Sequence, residues 1–98
     1  MNPMRVMRNK QIRGHLLYLL HLSGTATTER ALELGMISSL MVTNPDISEY
    51  LNYLIDRRYI EKVKSAEFGV EYYKITADGV DILEGSRCDP GVIVGARE

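Results

Sequence analysis

The chain has 98 residues, 45% of them hydrophobic and 26% charged, with a single cysteine and a formal net charge of −1. That length suits one small domain burying roughly 60–65% of its unfolded surface, and the composition excludes a globally disordered chain. The lone Cys88 excludes an intramolecular disulfide and fits a reducing compartment.

The small net charge covers an uneven distribution. Of the twelve lysines and arginines, Arg5, Arg8, Lys10 and Arg13 fall within the first fourteen residues, which hold no acid, leaving eight bases against thirteen acids beyond. Residues 1–8 therefore read as a basic N-terminal arm on a mildly acidic body, a distribution that favours nucleic-acid contact at the arm.

A first helix is predicted from about Asn9, which can cap it, to Leu22. Ile12, Leu16, Leu19 and Leu20 share one face; Leu17 and Tyr18 widen it, so cover from two sides is expected. Ser23-Gly24 supplies the stop, with Gly24 able to turn left-handed. The apolar stretch "HLLYLLHL" is too short to cross a bilayer, and no small-residue cleavage site follows it. It reads as a core helix of a cytoplasmic protein, with no membrane partner.

The segment "TATTERALELGMISSLM" predicts a second helix capped by Thr27 or Thr28, with Glu29 at its positive end. Leu32, Met36 and Leu40 recur in steps of four, and Ile37 joins them. Gly35 costs about 1 kcal/mol against alanine, so either one helix is weak there or two short helices meet. "VTNPD" then starts a third helix, with Asn44 capping ahead of Pro45, or with Asp46 capping and Glu49 closing a capping box. Ile47, Leu51, Leu54 and Ile55 form its apolar stripe, and Ser48, Glu49, Asn52, Tyr53, Asp56 and Arg57 its opposite face.

After Arg58 the pattern changes to β-branched and aromatic residues. "YIEKVKS" and "VEYYKIT", joined through "AEFG", predict a hairpin with a buried base and an exposed tip. Thr76 caps a last short helix in which Val80, Ile82 and Leu83 pack, and Gly85 ends it. Residues 86–98 form a tail with a turn at Asp89-Pro90-Gly91 and a short apolar run at Val92, Ile93 and Val94.

The order helix, helix, helix, hairpin, helix, over residues 9–85, resembles a winged helix-turn-helix domain. "ISEYLNYLIDRRYIEKV" resembles that family's recognition helix running into the wing; "YYKITADGVDILEG" resembles the second wing strand and the helix after it. The second stretch, with "CDPGVIVGARE", is also similar to short proteins of Mu-like phages and prophages. One departure is Tyr59, where the family commonly has glycine after the arginine. The expected class is α+β, mainly α: a three-helix core, a two-stranded wing and a short C-terminal helix.

The resemblance implies a transcriptional regulator that binds double-stranded DNA as a homodimer. It places Ser48, Glu49, Asn52, Tyr53 and Arg57 of the recognition helix on the duplex. Lys62 and Lys64 of the wing, and Arg5, Arg8, Lys10 and Arg13 of the arm, supply the attraction to phosphates that Asp46 and Glu49 oppose. The first helix and the tail are the surfaces expected to form the dimer. The alternative is a winged helix serving as a protein-interaction module, to which the acidic body, Tyr50, Tyr53, Tyr72 and the apolar tail point.

Catalysis finds no support in the sequence. His15 and His21 are six apart and do not face each other, no His/Cys cluster has metal-ligand spacing, and Gly14, Gly24 and Gly35 stand singly rather than in a phosphate-cradling loop. The reading is a non-enzyme without cofactor or metal.

Overall fold

The computed structural model describes residues 3–40, 47–65 and 69–94. Its elements in chain order are α1 (Pro3–Ser23), α2 (Glu29–Leu40), α3 (Ser48–Asp56), β1 (Ile60–Lys64), β2 (Glu71–Ile75) and α4 (Ala77–Glu84). The class is α+β and mainly helical.

Helix α1 starts earlier than its capping signal predicts. Pro3 occupies the first position, where a missing amide hydrogen costs nothing, and the helix runs unbroken through the segment expected to be an arm. Asn9 is thus interior, and its Oδ1 accepts a hydrogen bond from the Tyr50 hydroxyl at 2.8 Å. Ile12, Leu16, Leu17 and Leu20 are buried, and α1 packs against α2, α3, α4 and β2. Cover from two sides holds. Fully burying one such aliphatic side chain contributes about 1.5–3 kcal/mol.

Helix α2 is continuous through Gly35. That glycine faces α1: a Cβ there would stand 3.1 Å from a Leu19 methyl, so its small size lets the two helices approach. Thr28 caps, its Oγ1 accepting from the Ala31 amide at 3.2 Å. Leu32 and Met36 are buried, but Ile37 is 40% exposed and does not join them. One residue beyond the four-step row rotates it out of the contact.

The proposed caps Asn44, Pro45 and Asp46 lie outside the described residues. Helix α3 follows Ile47, which supplies no side-chain cap. Ile47, Leu51 and Leu54 are each at most 1% exposed, and Ile55 packs partly buried against the same core. The stripe therefore anchors α3 as expected. The helix ends in a tight turn despite the missing glycine. Arg58 takes the left-handed conformation at φ 66°, the Arg58 amide donates to Ile55 O at 2.9 Å, and the Tyr59 amide donates to Leu54 O at 3.0 Å. A non-glycine residue there costs about 1–2 kcal/mol. Tyr59 is then carried inward, to 3% exposure.

β1 and β2 pair antiparallel from Ile60 opposite Ile75 to Lys64 opposite Glu71. Ile60 is buried and the rest of β1 is exposed, so the hairpin has the expected buried base. Thr27 adds one bridging residue, exchanging backbone hydrogen bonds of 2.8 and 2.7 Å with Tyr73. Thr76 Oγ1 caps α4, accepting from the Gly79 amide at 3.2 Å, while its hydroxyl donates to Arg58 O at 2.7 Å. Gly79 is buried where α4 meets the start of β1: a Cβ there would come within 2.3 Å of Tyr59 O.

Residues 89–94 pack back onto the helices rather than trailing as a loose tail. Val92 is 8% exposed, and the Ile93 amide donates to Lys10 O at 3.1 Å. The segment crosses α1 at Gly14, where a Cβ would stand 1.9 Å from Ile93 O.

Two glycine substitutions check these contacts. Gly79→Ala forces the β1 start away from α4 and is expected to cost roughly 1–3 kcal/mol in urea unfolding. Gly85→Ala adds only the left-handed penalty at φ 82°, about 1 kcal/mol, with open space around the new methyl. Equal losses at the two positions would contradict the packing described at Gly79.

Candidate functional site

Anchoring one side of α3 decides what its other side offers. With Ile47, Leu51 and Leu54 in the core, the 3.6-residue period brings Glu49, Asn52 and Asp56 to the outward midline, and all three are exposed. Ser48 borders this midline on one flank and is half-buried. Tyr53 and Arg57 border it on the other.

That second flank is occupied by the chain itself. Asp89 is the charged residue that is buried among the described residues, at 7% exposure. Its carboxylate accepts from the Tyr59 hydroxyl, from the Gly91 amide at 2.6 Å and from the Tyr53 hydroxyl at 3.3 Å, and it pairs with Arg57 at 3.5 Å. Arg13 reaches from α1, its guanidinium 3.9 Å from the centre of the Tyr53 ring, and donates to Gly91 O at 3.0 Å. Arg57 approaches the same ring at 5.1 Å. Gly91 carries no side chain because the Tyr53 hydroxyl fills that space.

The electrostatics follow from this geometry. Burial pushes the Asp89 pKa up, but hydrogen bonds from Tyr59 and the Gly91 amide, the Arg57 charge and the Tyr53 hydroxyl together hold it below the ordinary carboxylate value. Tyr59 moves the other way. Burial first, then its hydrogen bond and charge repulsion with Asp89, raise it to about 12.

Of the residues expected on DNA, then, Glu49 and Asn52 face solvent, Tyr53 and Arg13 are engaged in an internal cluster, and Arg57 pairs with Asp89 while its side chain stays half-exposed. Arg13 was expected in a basic arm; it sits instead in the seam between α1, α3 and the tail. Arg5 and Arg8 are exposed and Lys10 is half-buried. Asn9 stands level with Tyr50 and Arg13 with Tyr53, so α1 runs alongside α3. Arg5, one turn before Asn9 on the same face, therefore lies toward the N-terminal end of α3. At the other end, Lys62, Lys64 and Lys74 are exposed on the hairpin. Lys62 meets Glu71 at 3.8 Å, both half-exposed, a contact of little energetic weight.

Sequence reasoning missed Asp89, Tyr59 and Gly91 as a cluster. The Asp-Pro-Gly turn was legible, and so was the apolar run after it. Nothing local says that the aspartate turns inward onto two tyrosines. Among the described residues no three His, Cys, Asp or Glu side chains gather to hold a metal ion, and no helix is long and apolar enough to cross a membrane. Comparison with protein-family models, with curated proteins and with solved structures gives no match.

The Asp89 cluster predicts a signed pH dependence. A carboxylate whose folded pKa is depressed contributes stability that is present above its unfolded value, about 4, and is lost as pH falls through the folded value. A tyrosine raised from 10 to about 12 contributes below pH 10 and loses that contribution as pH rises toward 12. Asp89→Asn is expected to cost roughly 1–3 kcal/mol at pH 7 and to flatten the acid limb of denaturant-derived stability between about pH 5 and 2. An acid limb as steep as that of the wild type would remove Asp89 as its source.

Proposed function

We propose that the chain is a winged-helix protein that binds double-stranded DNA, with α3 as the reading helix and the β1–β2 hairpin as the wing, acting as a transcriptional regulator in the cytoplasm. The observation that carries this reading is the arrangement of charge around α3. Its outward midline holds Glu49, Asn52 and Asp56, and cations stand at both ends: Arg5 near its start, and Lys62, Lys64 and Lys74 on the hairpin beyond its end.

A duplex presents that pattern in complement. Phosphates flank the major groove and base edges line its floor. The flanking cations meet phosphates, while the midline meets bases. There Asn52 can bond an adenine edge, and Glu49 and Asp56 can accept from cytosine amino groups. The acids that weaken attraction to phosphate thus become acceptors for particular bases. Tyr53 is taken up by Asp89 and Arg13, while Arg57, half-exposed as it pairs with Asp89, borders the reading set.

The acidic midline itself favours a second reading, in which α3 docks on a basic protein surface without DNA. Fluorescence anisotropy on random duplex DNA across a salt series separates the two. For the DNA reading, affinity falls steeply with salt, and Lys62→Ala with Lys64→Ala weakens all sequences alike, lowering the log–log slope by about 1–2. Asn52→Ala instead costs about 1–3 kcal/mol of discrimination at one base position of a selected site. No binding to any duplex at low salt defeats the DNA reading.

A further inference from the structure

The C-terminal segment, residues 89–94, covers cations on one flank of α3. Asp89 accepts from the hydroxyls of Tyr53 and Tyr59 and from the Gly91 amide, and it pairs with Arg57 at 3.5 Å. An arginine, hydroxyls and a backbone amide converging on one anion are also the donors that hold a phosphate in nucleic-acid contacts. Here a carboxylate of the chain itself takes that place. Arg13 is covered by the same segment. It donates to Gly91 O at 3.0 Å, and its Nε is buried with no hydrogen-bond partner among the described residues.

We propose that residues 89–94 are an autoinhibitory strap: Asp89 and Gly91 occupy Arg57, Tyr53 and Arg13 in place of a backbone phosphate of duplex DNA, and binding of the duplex lifts the strap. This regulation belongs to the α3 surface of the DNA reading and rests on that reading. A helix set in the major groove turns its flanks toward the phosphate strands that border the groove. The strap stands on the flank between α1 and α3, where it adds an acid and neutralises Arg57. Once it lifts, that flank gains two free cations and loses one anion.

Three features suit the segment to lifting. First, its hold is mainly polar. Val92 is its buried apolar residue, whereas Ile93 and Val94 are half-buried and Pro90 is exposed. Polar contacts exchange for water or phosphate with a small net change in free energy, and lifting returns the Asp89 carboxylate to water. Second, residues 84–88, which join the segment to α4, are all exposed, so it can swing without unpacking that helix. Third, the closed position is admitted by two glycines. A Cβ at Gly14 would collide with Ile93 O, and a Cβ at Gly91 with the Tyr53 hydroxyl. Inside a helix glycine is a poorer former than alanine, so Gly14 favours the closed strap over α1 itself.

Gly14→Ala tests the strap, because the added methyl blocks closure while improving the helix that carries it. Deletion of residues 89–98 is the second variant, and circular-dichroism melts check that both fold. In Gly14→Ala the Ile93 amide, which donates to Lys10 O in the closed strap, is expected to lose its protection from hydrogen exchange. Fluorescence anisotropy on random duplex is expected to show affinity above wild type by roughly tenfold or more at about 0.1 M salt, with a log–log salt slope steeper by about 1–2. Adding Arg13→Gln and Arg57→Gln to Gly14→Ala is expected to remove both gains. In the wild type, which needs no variant to fold, saturating duplex is expected to speed Ile93 exchange by roughly tenfold or more while the Leu51 amide in α3 stays protected. Wild type that binds duplex as tightly as Gly14→Ala and the deletion overturns the strap and leaves the DNA reading standing. So does bound duplex with Ile93 still protected, or a gain that survives the two glutamines. Failure of every chain to bind duplex at low salt overturns both.

Discussion

A carboxylate withdrawn from water is stable only where its neighbours replace the lost hydration, and Asp89 imposes that condition on much of this fold. Its partners come from three places in the chain: Tyr53 and Arg57 at the end of α3, Tyr59 at the entry to β1, and Gly91 in its own turn. Satisfying one anion therefore sets the end of α3, the inward course of Tyr59 and the path of the C-terminal segment together. Arg13 joins the same seam from α1, stacking on Tyr53 and bonding Gly91 O. The strained backbone at Arg58 is part of this arrangement, since the left-handed turn there swings Tyr59 into the core.

That constraint also sorts the surface. One flank of α3 is largely spent on internal contacts, so its accessible chemistry centres on Glu49, Asn52 and Asp56, with Arg57 half-exposed at the helix end. The return of residues 92–94 covers another side of α1 at Gly14, where only a glycine admits the Ile93 carbonyl. What α1 leaves in solvent is the side carrying Met4, Met7, Tyr18 and Leu22. The acidic, hydrogen-bonding face of α3 and the largely apolar face of α1, which also carries Arg8, thus belong to different helices and present different chemistry. Each suits a different kind of partner.

Most elements were legible in the sequence because their signals are local. The stripe at Ile47, Leu51 and Leu54 has helical spacing. Thr28 and Thr76 cap helices as their positions suggest, and Gly85 ends α4 in the left-handed conformation. The hairpin follows from β-branched and aromatic residues on both sides of a short loop. Local reading failed where two signals compete. Asn9 looks like a cap, but Pro3 starts the helix and Asn9 receives the Tyr50 hydroxyl. Gly35 looks like a break, but close packing against Leu19 makes its small size an advantage.

The candidate site divides along the same line. The sequence by itself determined the helix periods, the hairpin, the caps and the uneven charge, since each depends on residues a few positions apart. Which charges remain free was decided only by the tertiary structure. Whether Arg57 and Tyr53 meet a ligand or an internal anion depends on Asp89, which is 32 residues from Arg57 in the chain, and Arg13 is held by Gly91, 78 residues away. Burial and hydrogen bonding across such separations arise from the packing of whole elements, and no window of the sequence encodes them.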